Sequence, residues 1–223
     1  MPYFDALALG AIHESGHAVA DIVLGVPLEF VCLDDDGTGL TRAWYEHRRR
    51  EDDYLHAADD GARLTDEVAH FLRREVVRRL CGGVAEHVAT KRRFRHYGDA
   101  GDDNDFLGAL PAVRVLTGRP SNVAQIRQWQ WATGRPQQLV LECFEWLEFE
   151  RARRRGRTVL RRHWSAVERV AAALRRHRLL RGDTVRDLVN EAAKLRAPTA
   201  QPPSRHDARV TRARSNVVRR RPR

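Results

Sequence analysis

The chain has 223 residues, of which 42% are hydrophobic and 31% charged, a composition that suits a folded domain and excludes a wholly disordered polymer. Its formal charge of +10 is lopsided: residues 197–223 hold eight Arg against the single acid Asp207, a net +7, so the remaining 196 residues carry only +3 and the basic signal says little about the body. Cys32, Cys81 and Cys143 are widely separated with no C-x-x-C pair, which argues against a disulfide framework or a cysteine metal cluster.

These cysteines read as small buried apolar groups in a reducing, cytoplasmic setting. No stretch approaches the ~18 apolar residues of a membrane span, because Asp21, Pro27, Glu29 and the Asp34–Asp36 run interrupt every candidate. Asp5 and the lack of a basic n-region speak against a secretory leader.

In chain order, Leu7, Ala11, Ala18, Val19, Ile22 and Val23 recur at helical spacing, and Gly25 with Pro27 is a stop signal, so residues 5–24 are expected as an amphipathic helix. Glu29 to Leu33 and Leu40 to Tyr45 are β-prone runs joined by a turn-rich Asp34–Gly39 segment, a hairpin signature. The charged, aperiodic segment from Glu46 to Ala62 reads as an exposed loop, with room for a short helical turn. From Thr65, the spacing of Val68, Phe71, Leu72, Val76, Leu80, Val84 and Val88 predicts a long helix, in which Gly82 and Gly83 invite a close neighbouring backbone.

A Gly- and Asp-rich loop from Gly98 to Asp103 leads into an apolar stretch from Phe106, where Asp103 would cap a helix and Pro111 would kink or shorten it. Further helices are expected at about 136–154 and 158–177, with a short one opened by Asp183. Periodicity ends after Leu195, and Pro198, Pro202 and Pro203 mark a disordered basic tail. The expected organisation is a mainly α domain over residues 1–196, with a small β-hairpin beside its first helix, followed by the tail over 197–223.

The chemistry lies in that first helix, which carries His13, Glu14, Ser15, Gly16 and His17. Spacing of i and i+4 puts both imidazoles on one helical face, where two nitrogens can meet one Zn2+ ion at about 2.0–2.1 Å. Glu14 stands beside them as general base for water that the metal acidifies. A third ligand has to come from elsewhere in the chain, and spacing alone does not name it.

The string AIHESGHAVADIVLG resembles the start of the peptidase domain of the FtsH family, the zinc-dependent AAA proteases. Leu80 to Glu86 (LCGGVAE) is similar to that family's YGGRxAE segment, Gly101 to Asp105 (GDDND) to its GASND segment, and His163 to Val189 to its C-terminal helices. The resemblance implies Asp105 as the third zinc ligand, a role that the sequence alone leaves even with that of a helix-opening acid favoured by the dipole. Glu86, on the long helix near the Gly pair, is the other candidate ligand or else orients a histidine through its second ring nitrogen. The resemblance also implies that Leu40 to Tyr45 is a sheet edge along the cleft, able to pair with an extended substrate. Trp44 and Tyr45 keep the family's aromatic pair there, whereas Arg42 and Glu46 replace apolar residues.

No GxxxxGK[ST] phosphate loop occurs, so the resemblance covers the peptidase part alone, and a motor would come from a separate ATPase chain. The expected function is a zinc-dependent metalloendopeptidase acting on unfolded or flexible polypeptide, with homo-oligomer formation among the expected associations. Two other readings stand beside it. One is a non-catalytic helical scaffold whose Arg-rich tail binds nucleic acid weakly and without sequence preference; the other is a degenerate family member that keeps zinc without cutting.

Overall fold

A computed structural model describes residues 5–91, 102–124, 126 and 143–196. Within these the protein is mainly helical with one small antiparallel sheet, in the order α1 (Ala6–Val23), β1 (Leu28–Leu33), β2 (Gly39–Ala43), α2 (Tyr45–Asp59), α3 (Asp66–Thr90), α4 (Asp102–Leu116), α5 (Cys143–Arg162), α6 (Trp164–His177), β3 (Leu179–Arg181) and α7 (Gly182–Arg196). The tail over 197–223, the start of the helix expected from 136, and the loop from Gly98 to 101 lie outside the described residues.

α1 is the central rod. Asp5 caps it by accepting the Ala8 N–H at 2.6 Å, and it ends where Gly25 turns the chain at φ +70°. Ala11, Ala18, Val19 and Ala20 are fully buried, and α1 packs against α3, α6, α7, α5 and both strands of the hairpin. Small residues allow that crowding: a Cβ on Gly16 would lie 2.5 Å from the Cys81 carbonyl oxygen and 2.6 Å from the Ala85 methyl, so α1 and α3 touch backbone to backbone.

The hairpin forms as the turn chemistry requires. Gly37 takes φ +89° while Asp36 accepts hydrogen bonds from both the backbone N–H and the hydroxyl of Thr38. β1 pairs with β2 on one side and with β3 on the other, giving the strand order β2-β1-β3 and leaving β2 at an edge. Trp44 and Tyr45 fall outside the strand: Trp44 caps α2 and Tyr45 is its first residue.

The segment expected as an exposed loop from Glu46 to Ala62 is instead mostly the helix α2. Its inward stripe is His47, Glu51 and Leu55 at i, i+4 and i+8, so the periodicity is helical but two of its three buried members are polar. Their partners are charges on α3: His47 Nε2 lies 2.7 Å from Glu75 Oε1, and Arg79 Nη2 donates to Glu51 Oε2 at 2.6 Å.

α3 starts at a Thr65 cap, as its sequence signals, and stops at Lys91, which adopts a left-handed conformation with φ 55°. α4 is not cut short at Pro111 but continues to Leu116, with Ala109, Leu110, Ala112 and Val113 buried on either side of the proline.

The break expected between 154 and 158 does not occur. α5 runs through Gly156, whose bare backbone packs against α3: a Cβ there would lie 3.2 Å from Cys81 Sγ. The chain turns at His163 instead. β3 was not expected, and α7, expected as short, runs for 15 residues. Of the three cysteines only Cys81 is buried, Cys32 being half-buried and Cys143 exposed. One continuous core joins all seven helices and the sheet.

Candidate metal centre

Three chain segments far apart in sequence converge at the middle of α1. His13 and His17 project from successive turns of one face, and their Nε2 atoms lie 3.1 Å apart. α4 brings Asp105 to them, its Oδ2 standing 3.1 Å from His13 Nε2 and 3.0 Å from His17 Nε2. Ligand atoms on a tetrahedron about 2.0–2.1 Å from one ion lie roughly 3.3 Å apart, close to this spacing. Of the two acids left open by the sequence, Asp105 therefore joins the imidazole nitrogens.

Glu86 approaches from behind, with Oε1 2.6 Å from His13 Nδ1. His17 Nδ1 is matched in the same way by the Arg78 carbonyl oxygen at 2.8 Å. A carbonyl and a carboxylate can only accept, so these contacts assign the Nδ1 proton on each ring and leave each neutral Nε2 as a lone pair. Two lone pairs and a carboxylate oxygen then face one another with no hydrogen between them. Only positive charge relieves that arrangement, either as protons or as one metal ion.

The titration behaviour expresses the same demand. Burial opposes charge on His13 and His17, yet Asp105, joined at His13 by Glu86, outweighs it and raises both imidazoles above their ordinary value. Burial would raise the Asp105 carboxyl, but the two imidazoles hold it well below the usual carboxylate range. The donor set, two imidazoles and one carboxylate, suits a borderline divalent ion and leaves room for a fourth ligand.

Glycine makes the approach of α3 to this face feasible. A Cβ on Gly82 would lie 2.3 Å from His17 Nε2 and 2.4 Å from His13 Nε2, closer than atoms can come. The Gly pair had signalled a close neighbour in the sequence; at Gly82 the nearest atoms are those of the imidazole pair, and the α1 backbone meets α3 one residue earlier, at Cys81.

Glu14 lies on the side of α1 that faces the hairpin and is largely buried. Its carboxylate Oε2 accepts a hydrogen bond from Thr41 Oγ1 at 2.7 Å, and Gly39 lies against its side chain, where a Cβ would come within 2.6 Å of Glu14 Cγ. Sequence reasoning missed Thr41, since a threonine in a β-prone run is the expected residue there and carries no separate signal.

A second polar cluster lies along α1, α2 and α3 and was also missed. The Arg78 guanidinium binds Glu75 and faces Asp21 Oδ1 at 3.7 Å and Glu51 Oε2 at 3.9 Å. Asp21 is fully buried, neither of its oxygens accepts a hydrogen bond among the described residues, and burial pushes its pKa up to about 6 against the pull of Arg78.

Among the described residues, no helix is long and apolar enough to cross a membrane. Compared with protein-family models and with curated proteins, the chain matches none.

Proposed function

We propose that this protein is a zinc-dependent metalloendopeptidase of the FtsH type, cutting unfolded or flexible polypeptide without an ATPase module in this chain. The observation that carries the reading is the meeting of His13 Nε2, His17 Nε2 and Asp105 Oδ2 within 3.1 Å of one another, beside a buried glutamate. The resemblance of HESGH, LCGGVAE and GDDND to the FtsH peptidase segments supports it from an independent side.

His13, His17 and Asp105 would hold the ion, with Glu86 and the Arg78 carbonyl fixing the two rings. When bound, zinc supplies Lewis acidity, which lets water ionise near neutral pH and polarises the scissile carbonyl. Glu14 accepts the proton that water gives up and delivers it to the departing amine, so no acyl-enzyme forms. β2, whose Thr41 bonds Glu14, is an edge strand of the sheet among the described residues, and its outer backbone groups would pair with an extended substrate, giving affinity with little side-chain selectivity. Strand pairing of this kind would take segments that are already extended, or chains that an ATPase delivers in extended form.

The test is casein hydrolysis by metal-verified protein, with and without a chelator. Glu14→Gln is expected to retain equimolar zinc and to lose at least about a thousandfold in kcat, whereas His17→Ala loses the metal itself, as elemental analysis will show. Casein cleavage that survives in Glu14→Gln rejects the mechanism.

A further inference from the structure

We infer that Thr41 is the positioning residue for the general base, so that the strand proposed to receive the substrate also aims the group that moves its proton. The inference rests on the protease reading and adds a residue to it. Among the described residues, Thr41 is the one side chain that hydrogen-bonds the Glu14 carboxylate, at 2.7 Å to Oε2, and its hydroxyl also lies 3.1 Å from the Glu14 carbonyl oxygen. The hydroxyl has a single proton, and the shorter contact to the charged acceptor takes it.

The backbone around Thr41 shows why this contact is fixed rather than incidental. Thr41 pairs with Val31 of the central strand β1, within an unbroken register from Arg42 to Gly39. Two residues earlier, Gly39 lies against Glu14 Cγ so closely that a Cβ would overlap both that atom and the Cys32 carbonyl oxygen, each at 2.6 Å. β2 thus grips the glutamate at two points on one face of the strand, pressing on its stem through Gly39 and orienting its head through Thr41.

A glutamate side chain has several rotatable bonds, and holding one oxygen restricts the rotamers available to the other. Proton transfer depends steeply on such placement. The hydroxyl should therefore contribute to turnover and not to metal retention, because Thr41 touches none of the atoms that meet the ion. It should also contribute little to substrate affinity, since strand pairing uses the backbone of β2.

Thr41→Val keeps the shape and β preference of the residue and removes only the hydroxyl; Thr41→Ser restores the hydroxyl. The experiment measures zinc content, thermal melting and the kcat and KM for fluorescent casein in wild type and both variants. The expected result is Thr41→Val with wild-type zinc content and melting, kcat lower by about tenfold and KM within about twofold, and recovery to within about threefold of wild-type kcat in Thr41→Ser. An active wild type with unimpaired kcat in Thr41→Val overturns the inference alone. A loss confined to KM, or one accompanied by loss of zinc, overturns it too. Wild-type protein that binds zinc yet leaves casein intact overturns the protease reading and this inference together.

Discussion

Two clusters of histidine and carboxylate share the helices α1 and α3, and they differ in what supplies the positive charge. In the inner one, Asp21, Glu51, Glu75 and His47 surround the guanidinium groups of Arg78 and Arg79. In the outer one, His13, His17 and Asp105 converge, and among the described residues no Arg or Lys pairs with Asp105 or Glu86. The first cluster brings its own cations, although the two Asp21 oxygens face Arg78 without accepting a hydrogen bond among the described residues. The second consists of acceptors aimed at one point, whose repulsion is relieved by protons or by a metal ion that the three residues could hold. Residue types alone do not separate a structural ion network from a metal centre; the supply of donors does.

The contrast breaks most sharply at Arg78. Replacing it by Met leaves Asp21 and Glu75 as buried charges without their guanidinium, and the expected cost is about 3–5 kcal/mol of folding stability. The zinc-to-protein ratio of the folded variant should hold, since His17 uses the main-chain oxygen of residue 78 and not its side chain. Chemical denaturation with metal analysis checks both halves; unchanged stability would mean that the inner cluster is not held by its cation.

Asp21 sharpens the comparison through pH. Its folded pKa of about 6 lies above the unfolded value of 3.8, so the folded state holds this proton more tightly. The resulting stability is fully present below about pH 4 and is lost as pH rises through about 6. Asp21→Asn lacks that loss, so its stability relative to wild type should climb by up to about 3 kcal/mol between pH 4 and 7. Parallel stability-versus-pH curves would sink this assignment.

Glu86 gives the smallest effect and tests the outer cluster. Glu86→Gln weakens the acceptor for the His13 Nδ1 proton without touching the converging atoms, and zinc affinity should fall about 10–100-fold with the fold intact. Competition against a chromogenic chelator measures it, and an unchanged affinity would deny Glu86 a part in holding His13.

What the sequence made legible is what it encodes in apolar spacing and turn chemistry. α1, the hairpin, α3 with its Thr65 cap and α6 all carry those signals. α2 was hidden because its buried stripe is His47, Glu51 and Leu55, and a rule that looks for apolar periodicity sees only charge. The boundary expected between 154 and 158 falls where α5 in fact continues, with Gly156 making room there for Cys81. β3, at three residues, is shorter than any pattern that could announce it. In the site, the His13, Glu14 and His17 spacing was plain because one helical turn sets it. Asp105 lies 88 residues from His17, and its arrival depends on how α4 packs on α3, which no local pattern encodes. Thr41 and the inner cluster were illegible for the same reason.

The burial of α1 has a further consequence. The helix that carries both imidazoles packs against four other helices and two strands, with Ser15 and Asp21 as inaccessible as Ala11, Ala18 and Ala20. Fraying at a helix end cannot reach residues 13–17 without dismantling the core around them. The two imidazoles are therefore held at their spacing by the packing of the core itself, and the place where an ion would sit is laid down by the fold before any ion arrives.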